Sequence, residues 1–191
     1  LAFLYVDAPN NTGRFHLYHF RPSLFPNLGE VGEKARIMKQ DTDFTNPHRA
    51  KPAGLVSSLI RITYYWMDYV LGWMYFTRRD VQYDRYTVYD RYSYDLLVDP
   101  RRTRLKLPYW VRRCFVACMP HPKINFFLKA SPDVIIKRKA ELTHNEITRQ
   151  VSAYERLSVR KNIITIDADK CMDEMIDEAL PHLLSAYWEK L

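Results

Sequence analysis

Glycine is scarce in this chain of 191 residues, which holds 5 Gly against 11 Pro and 14 Tyr. Loops that wrap nucleotide phosphates need glycine, and the sequence contains no G-x-x-x-x-G-K-[ST] string. The nearest candidate, residues 8–15 (APNNTGRF), keeps one glycine, has Arg14 in place of lysine and has Phe15 at the magnesium-binding position. The motif that ordinarily marks an ATP site is therefore missing.

Cysteines and long apolar runs are also few. Cys114, Cys118 and Cys171 are an odd set without metal-ligand spacing, which argues against a zinc site and a disulfide framework and favours a reducing compartment. The most apolar stretch, residues 62–76, contains Asp68 and is too short to span a bilayer. No signal peptide is visible. We therefore predict a cytoplasmic protein without a membrane span.

The composition predicts one globular domain over residues 1–191, because 47% of the residues are hydrophobic and 27% are charged. A formal net charge of +7 points to an anionic partner, which could be a nucleotide, a nucleic acid or an acidic lipid. Nucleic acid is not favoured, since no recognition motif supports it.

Apolar periodicity predicts alternating strands and helices. We expect strands at residues 1–6, 15–20, 86–89, 124–128 and 163–166. Helices are expected at residues 55–79, 110–119, 131–140, 143–157 and 173–190, and a long loop at 21–54. A buried stripe on the first helix is predicted from residues spaced three and four apart: Leu55, Leu59, Ile62, Trp66, Tyr69 and Trp73. The alternation implies a parallel sheet with helices on both faces, whose ligands bind at the carboxyl ends of the strands.

Charged residues follow several predicted strands directly. Asp90 and Arg91 come after the strand at 86–89, while Arg21 and Lys129 come after two others. Arginine offers a planar fork for phosphate oxygens, and aspartate can hold Mg²⁺ through water or orient an attacking oxygen. A structural ion pair at a strand end is the alternative explanation for an adjacent Asp and Arg.

Residues 90–102 (DRYSYDLLVDPRR) resemble the DRY segment of thymidylate kinases. Residues 19–30 (HFRPSLFPNLGE) are similar to the Arg-Glu-Pro-Gly region of that family, and residues 124–157 are similar to its strand, helix and lid segment. These segments follow the order of that family and lie within residues 14–170. The resemblance implies a three-layer α/β/α fold with a mainly parallel sheet, of the P-loop kinase type.

The resemblance also implies an activity, the transfer of the ATP γ-phosphoryl group to a nucleoside monophosphate or related phosphorylated acceptor with Mg²⁺. Arg91 would bind the acceptor phosphate, Asp90 would lie near Mg²⁺ and the phosphoryl oxygen, and Arg21 would be a second phosphate ligand. Tyr92 and Asp95 would contact the substrate. A homodimer is left open.

Two further arginines, Arg138 and Arg149, would belong to the lid that closes over the donor phosphates. They could equally be solvated helix charges. Arginines suit a lid because phosphoryl transfer depends mainly on positioning and charge neutralisation.

The chain departs from the family pattern at two positions. Pro22 stands where the glutamate of the Arg-Glu-Pro-Gly pattern would follow Arg21. Asp68 falls where the middle helix of thymidylate kinases supplies an arginine, and a carboxylate there would repel a phosphate. The acceptor dTMP is therefore in doubt, and we expect Asp68 to bind tyrosine hydroxyls, a sugar or a base instead.

Three explanations fit the missing phosphate loop, since a parallel crossover needs a dozen or more residues and residues 7–14 supply eight. The favoured one is that the loop and first helix are absent from this sequence between about residues 7 and 15. The others are that the ATP site has been lost, or that residues 1–6 are not the strand before the loop.

Two other function classes remain beside the kinase. The first is a non-catalytic module that binds a nucleotide or phosphosugar through Arg21 and Arg91. The second is an interaction protein whose basic surface contacts anionic lipid or nucleic acid, with these candidate residues: Arg101, Arg102, Arg104, Arg112 and Arg113.

Overall fold

The structure, a computed structural model, describes residues 15–26, 54–83, 86–138, 142–159 and 163–188. The strand predicted at residues 1–6, the candidate loop at 8–14 and most of the long loop, residues 27–53, lie outside the described residues. The described residues fall into two compact units, an N-terminal unit within residues 15–120 and a C-terminal unit within residues 121–188. A single domain over the whole chain stays a prediction.

The N-terminal unit is built on two parallel strands. Strands β1 (Phe15–His19) and β2 (Tyr86–Asp90) pair so that His19 lies opposite Asp90 at their carboxyl ends. The chain between them forms α1 (Leu55–Gly72), a π-helical turn (Trp73–Thr77) and α2 (Arg78–Gln82). Helices α3 (Asp95–Val98) and α4 (Tyr109–Ala117) follow β2.

Helix α1 packs through a face that the apolar pattern describes only in part. Ile62 and Tyr69 are fully buried, as predicted, but Leu55, Leu59 and Trp73 are 62%, 47% and 37% exposed. The prediction was wrong for these three because small and polar residues also occupy the buried face, and hydrophobicity does not mark them. The residues of α1 that are buried are Ser58, Ile62, Asp68, Tyr69 and Gly72.

The C-terminal unit repeats the parallel arrangement. Strand β3 (Asn125–Lys129) pairs with β4 (Ile163–Asp167), so that Lys129 lies opposite Asp167. Between the strands lie α5 (Pro132–Arg138) and α6 (His144–Ser158), and α7 (Met172–Trp188) follows β4. The core residues of this unit are Ala130, Ile166, Ala168, Met175 and Ala179.

Local signals in the sequence account for several boundaries. Thr143 caps α6, since its hydroxyl oxygen accepts a hydrogen bond from the backbone N of Glu146 at 3.4 Å. Strand β1 ends at His19 rather than at Phe20, because Phe20 adopts a left-handed backbone with φ 66°. Both sheets are parallel, which confirms the α/β class.

In the parts of the chain that the structure describes, no helix is both long enough and apolar enough to cross a membrane. The thiols of Cys114, Cys118 and Cys171 are free and exposed.

Candidate functional site

The carboxyl ends of β1 and β2 bring together an imidazole and a carboxylate. The parallel register sets His19 beside Asp90, and His19 Nδ1 lies 3.0 Å from Asp90 Oδ2. The Asp90 side chain is 12% exposed, whereas that of His19 is 74% exposed. Asp90 therefore sits at the strand end, as predicted, and its partner there is a residue that the sequence analysis did not single out.

Arg91 follows at once and has an unusual backbone. Its φ is 69°, a left-handed conformation that costs a residue with a Cβ roughly 1–2 kcal/mol. Its Nη1 donates to Asp95 Oδ2 at 3.1 Å, and the two side chains are 21% and 8% exposed. Asp95 thus holds one edge of the guanidinium, and Arg91 is neither fully buried nor paired with Asp90.

Most of residues 92–99 in the DRY segment are buried, whereas Arg101 is exposed. Tyr92 is 7% exposed, and its hydroxyl donates to the carbonyl oxygen of Pro120 at 2.7 Å. Its ring contacts those of Tyr69 and Tyr89, with centroids 4.9 Å and 4.8 Å away. Burial raises the pKa of Tyr92, so its hydroxyl stays protonated and donates. Substrate contact by Tyr92 stays a prediction, and packing is the role that the structure describes.

Arg21 and Asp68 form a buried ion pair. Arg21 Nη1 lies 2.7 Å from Asp68 Oδ2, and the side chains are 5% and 0% exposed. Asp68 also accepts from the backbone N of Ser23 at 3.2 Å and from that of Phe25 at 2.8 Å. The expected contacts of Asp68 with tyrosine hydroxyls are not among these hydrogen bonds. The two predicted site residues contact one another, and Arg21 as a phosphate ligand stays a prediction.

Helix α1 holds the segment after β1 at further points. The Tyr69 hydroxyl donates to the carbonyl oxygen of Phe20, and the Tyr64 hydroxyl donates to that of Pro26 at 2.6 Å. The ring of Phe25 packs on Tyr64 with centroids 5.6 Å apart. These contacts between α1 and the segment after β1 were not predicted from the sequence. The signal that could have indicated them is the set of three tyrosines close to Asp68 in the sequence, at positions 64, 65 and 69.

The two lid candidates lie in the C-terminal unit. Arg138 Nη2 donates to the carbonyl oxygen of Ala168 at 3.2 Å, just beyond β4. Arg149 forms two hydrogen bonds with Glu146 within α6, at 3.0 Å and 2.6 Å. Both contacts fit structural helix charges, and a lid function for Arg138 and Arg149 stays a prediction.

Lys129, which was predicted to follow a strand and is the last residue of β3, also has a partner. Its Nζ lies 2.7 Å from Glu155 Oε1, and both side chains are about half exposed. The hydrogen bond with Glu155 raises the pKa of Lys129, which keeps the ammonium charged.

One member of the candidate basic surface points inward. Arg112 is 9% exposed, and its Nη1 donates to the carbonyl oxygens of Leu96 and Leu97, each at 2.8 Å. It pairs with two carbonyl groups of α3 near the end of that helix, where carbonyls lack partners within the helix. Arg112 is therefore not part of a surface for anionic lipid or nucleic acid.

In the described ranges, no group of three or more His, Cys, Asp or Glu side chains is placed to hold a metal ion. Mg²⁺ keeps several waters and needs only one or two carboxylates beside substrate phosphates. Asp90 is one such carboxylate, with its Oδ2 engaged by His19 and its side chain 12% exposed, and its role toward Mg²⁺ stays a prediction.

The part of the chain that the structure describes contains no glycine-rich phosphate loop. The glycines in that part are Gly54, at the start of α1, and Gly72, near its end, and neither belongs to a glycine-rich loop. Comparison with protein-family models and with curated proteins found no match to this chain.

Proposed function

We propose that the protein binds a nucleoside monophosphate, or a related phosphorylated small molecule, at the carboxyl ends of β1 and β2. The observation that supports this most is the placement of Arg91, whose guanidinium is partly exposed at a strand end and is held on one edge by Asp95. A guanidinium carries five N–H donors, so the hydrogen bond to Asp95 orients the group and leaves other donors for a phosphate. Parallel sheets bind ligands at this edge.

The bound molecule is proposed to be the acceptor in a phosphoryl transfer from ATP. Asp90 would hold Mg²⁺ through water, and the ion would neutralise charge on the phosphoryl oxygens. The Asp90 carboxylate is held in turn by His19 at 3.0 Å, which fixes its orientation. Arg91 would hold the acceptor phosphate in place, which is the main requirement of this reaction.

Binding is tested by calorimetry with a panel of nucleoside monophosphates and a sugar phosphate. We expect Arg91→Ala to weaken binding by roughly 10-fold to 150-fold, because a hydrogen bond to a charged group contributes about 1.5–3 kcal/mol. Arg91→Lys keeps the charge but loses the planar guanidinium, so its affinity should lie between those of the wild type and Arg91→Ala. Arg101→Ala removes an exposed arginine of the same segment and should bind as the wild type does. Equal affinity for Arg91→Ala and wild type would contradict the proposal.

A non-catalytic module is the second candidate, favoured by the lack of a glycine-rich loop among the described residues. An assay of ADP release, with ATP and the monophosphate that binds, distinguishes the kinase from the module. ADP release that requires the acceptor and is lost in Arg91→Ala supports the kinase. Monophosphate binding without ATP binding supports the module.

A further inference from the structure

The segment that follows β1 has the geometry of an anion-binding cradle. Arg21 Nη1 and the backbone N of Ser23 both point at Asp68 Oδ2, at 2.7 Å and 3.2 Å, and the backbone N of Phe25 lies 2.8 Å from Asp68 Oδ1. Ser23 has φ 60°. Left-handed turn residues direct neighbouring N–H groups to one side, which is how backbone nests hold anions.

The donors in this cradle suit a planar or tetrahedral oxyanion. One guanidinium and two backbone N–H groups can bind both oxygens of a carboxylate, or two oxygens of a phosphate, through charge-assisted hydrogen bonds. Arg21 also donates to the carbonyl oxygen of Phe25 at 3.0 Å, which ties the guanidinium to the same loop. The loop and its arginine therefore form one unit around the anion.

We propose that residues 21–25 form an oxyanion site whose resident occupant is the carboxylate of Asp68, supplied by α1. Arg21 and Asp68 are 5% and 0% exposed, so each charge has been removed from water. A buried guanidinium without a counter-charge is strongly unfavourable. If the carboxylate is removed, the cradle gains affinity for a small anion from solution.

The consequence for substrate choice rests on the proposed function. The internal carboxylate closes the Arg21 position to the phosphate of an acceptor, so Arg91 is the guanidinium left to hold it at this end of the sheet. Asp68 then determines specificity, because it leaves the acceptor phosphate only one arginine, Arg91, at the ends of this pair of strands.

Anion rescue of Asp68→Ala tests the proposal on the full chain. Thermal melts are recorded in sodium chloride, sodium formate and sodium phosphate at equal ionic strength. We expect the melting temperature of Asp68→Ala to lie well below that of the wild type, and to rise by roughly 3–6 °C in formate at about ten times its Kd. A rise with formate alone, or with both anions, supports the cradle.

Two controls separate rescue from general salt effects. The double variant Arg21→Met/Asp68→Ala lacks the cradle cation and should show no specific rise. Asp80→Ala removes an equally buried carboxylate that accepts from the hydroxyls of Tyr18 and Thr87, and it should not respond either. Equal rises in the wild type or in these controls would overturn the proposal.

Asp68→Ser covers the case in which Asp68→Ala does not fold in chloride. It leaves room for an anion and keeps an acceptor for one backbone N–H, and the same rise with formate is expected. If neither variant is stabilised by formate or recovered by refolding in it, the proposal is wrong. The readout uses no nucleotide, so it succeeds or fails independently of monophosphate binding at Arg91.

Discussion

Arg91 combines a left-handed backbone with a partly exposed guanidinium, and this combination suggests that its side chain is kept for function. Phe20, at the end of the neighbouring strand, is left-handed too, with φ 66°, and its turn is closed by a hydrogen bond from Arg21 N to His19 O at 2.8 Å. Such a γ-turn is uncommon and strained. Strained residues cluster where a site needs a fixed geometry, and here two of them meet at the edge proposed to bind phosphate.

The backbone strain at Arg91 leads to a prediction about two truncations. Arg91→Gly and Arg91→Ala both remove the guanidinium from Asp95, but glycine adopts φ 69° without steric cost. We therefore expect Arg91→Gly to have a free energy of unfolding about 1 kcal/mol higher than Arg91→Ala. Urea denaturation of the two variants measures the difference, while both should lose monophosphate binding. Equal stability of the two would show that φ at residue 91 relaxes.

At the scale of elements, α1 is the part of the N-terminal unit that organises the segment after β1. Its residues 64–69 supply two tyrosine hydroxyls and one carboxylate to that segment. The helix passes into a π-helical turn at Trp73–Thr77 directly after Gly72. Gly72 is buried against the same segment, so helix and loop approach closely there.

This close approach predicts that Gly72→Ala destabilises the protein, although glycine to alanine within a helix ordinarily gains about 0.5–1 kcal/mol. A Cβ at residue 72 would collide with Pro22 Cβ and lie 3.0 Å from Pro22 Cγ, and a proline ring cannot rotate away. We expect a loss of about 1–3 kcal/mol in the free energy of unfolding.

Gly54→Ala is the matched control, because a Cβ there would have no heavy atom within 4 Å. Its effect should stay within about 1 kcal/mol of the wild type, as is usual at an exposed helix start. Thermal or urea denaturation of Gly72→Ala and Gly54→Ala measures the two changes in the free energy of unfolding. A stabilised Gly72→Ala would mean that α1 and Pro22 are farther apart than described.

At the scale of the molecule, a connected set of aromatic rings links the parts of the N-terminal unit. Tyr18 stacks on Tyr89 at 5.3 Å, Tyr89 contacts Tyr92, Tyr92 contacts Tyr69, and Tyr69 contacts Phe20 at 6.3 Å between centroids. This set joins β1, β2, the DRY segment and α1. The pKa values of its four tyrosines are raised mainly by burial, that of Tyr89 to about 12.

The raised tyrosine pKa values predict a loss of stability in alkaline solution. In the unfolded chain these hydroxyls ionise near pH 10, whereas in the native state burial moves their ionisation to higher pH, so the unfolded state binds fewer protons above pH 10. Stability should therefore be unaffected below about pH 10 and fall as the pH rises toward 12 and beyond. Each tyrosine contributes a slope of up to about 1.4 kcal/mol per pH unit.

Tyr-to-Phe variants separate the stability that comes from a tyrosine hydrogen bond from the stability that is lost when the tyrosine ionises. At pH 8, Tyr92→Phe should lose about 0.5–1.5 kcal/mol because Pro120 loses its donor. The hydroxyl of Tyr89 is buried near Thr77 and makes no hydrogen bond of ordinary geometry among the described residues, so Tyr89→Phe should cost less than Tyr92→Phe. Above pH 10 both variants should gain relative to the wild type. A pH-independent difference in the free energy of unfolding would contradict the burial of these hydroxyls.

The sequence alone was enough to predict the alternation of elements. The strands β1 to β4 and the helices α4, α5, α6 and α7 lie within a few residues of their predicted bounds, because apolar periodicity and caps such as Thr143 act over a few neighbouring residues. The helix predicted at 55–79 is divided into α1, the π-helical turn and α2. The position of Asp90 and Arg91 at a strand end was predictable for the same reason. The kinase-like site built on them stays a prediction.

The partners of the charged residues depended on the folded chain. Arg21 and Asp68 are 47 residues apart in sequence, and both were singled out, but no local pattern says that one neutralises the other. The left-handed backbones at Phe20 and Arg91 could not be predicted either, because neither residue is a glycine. Long-range electrostatics and packing settle such features, because their free energy comes from groups that only folding brings within a few ångströms of each other.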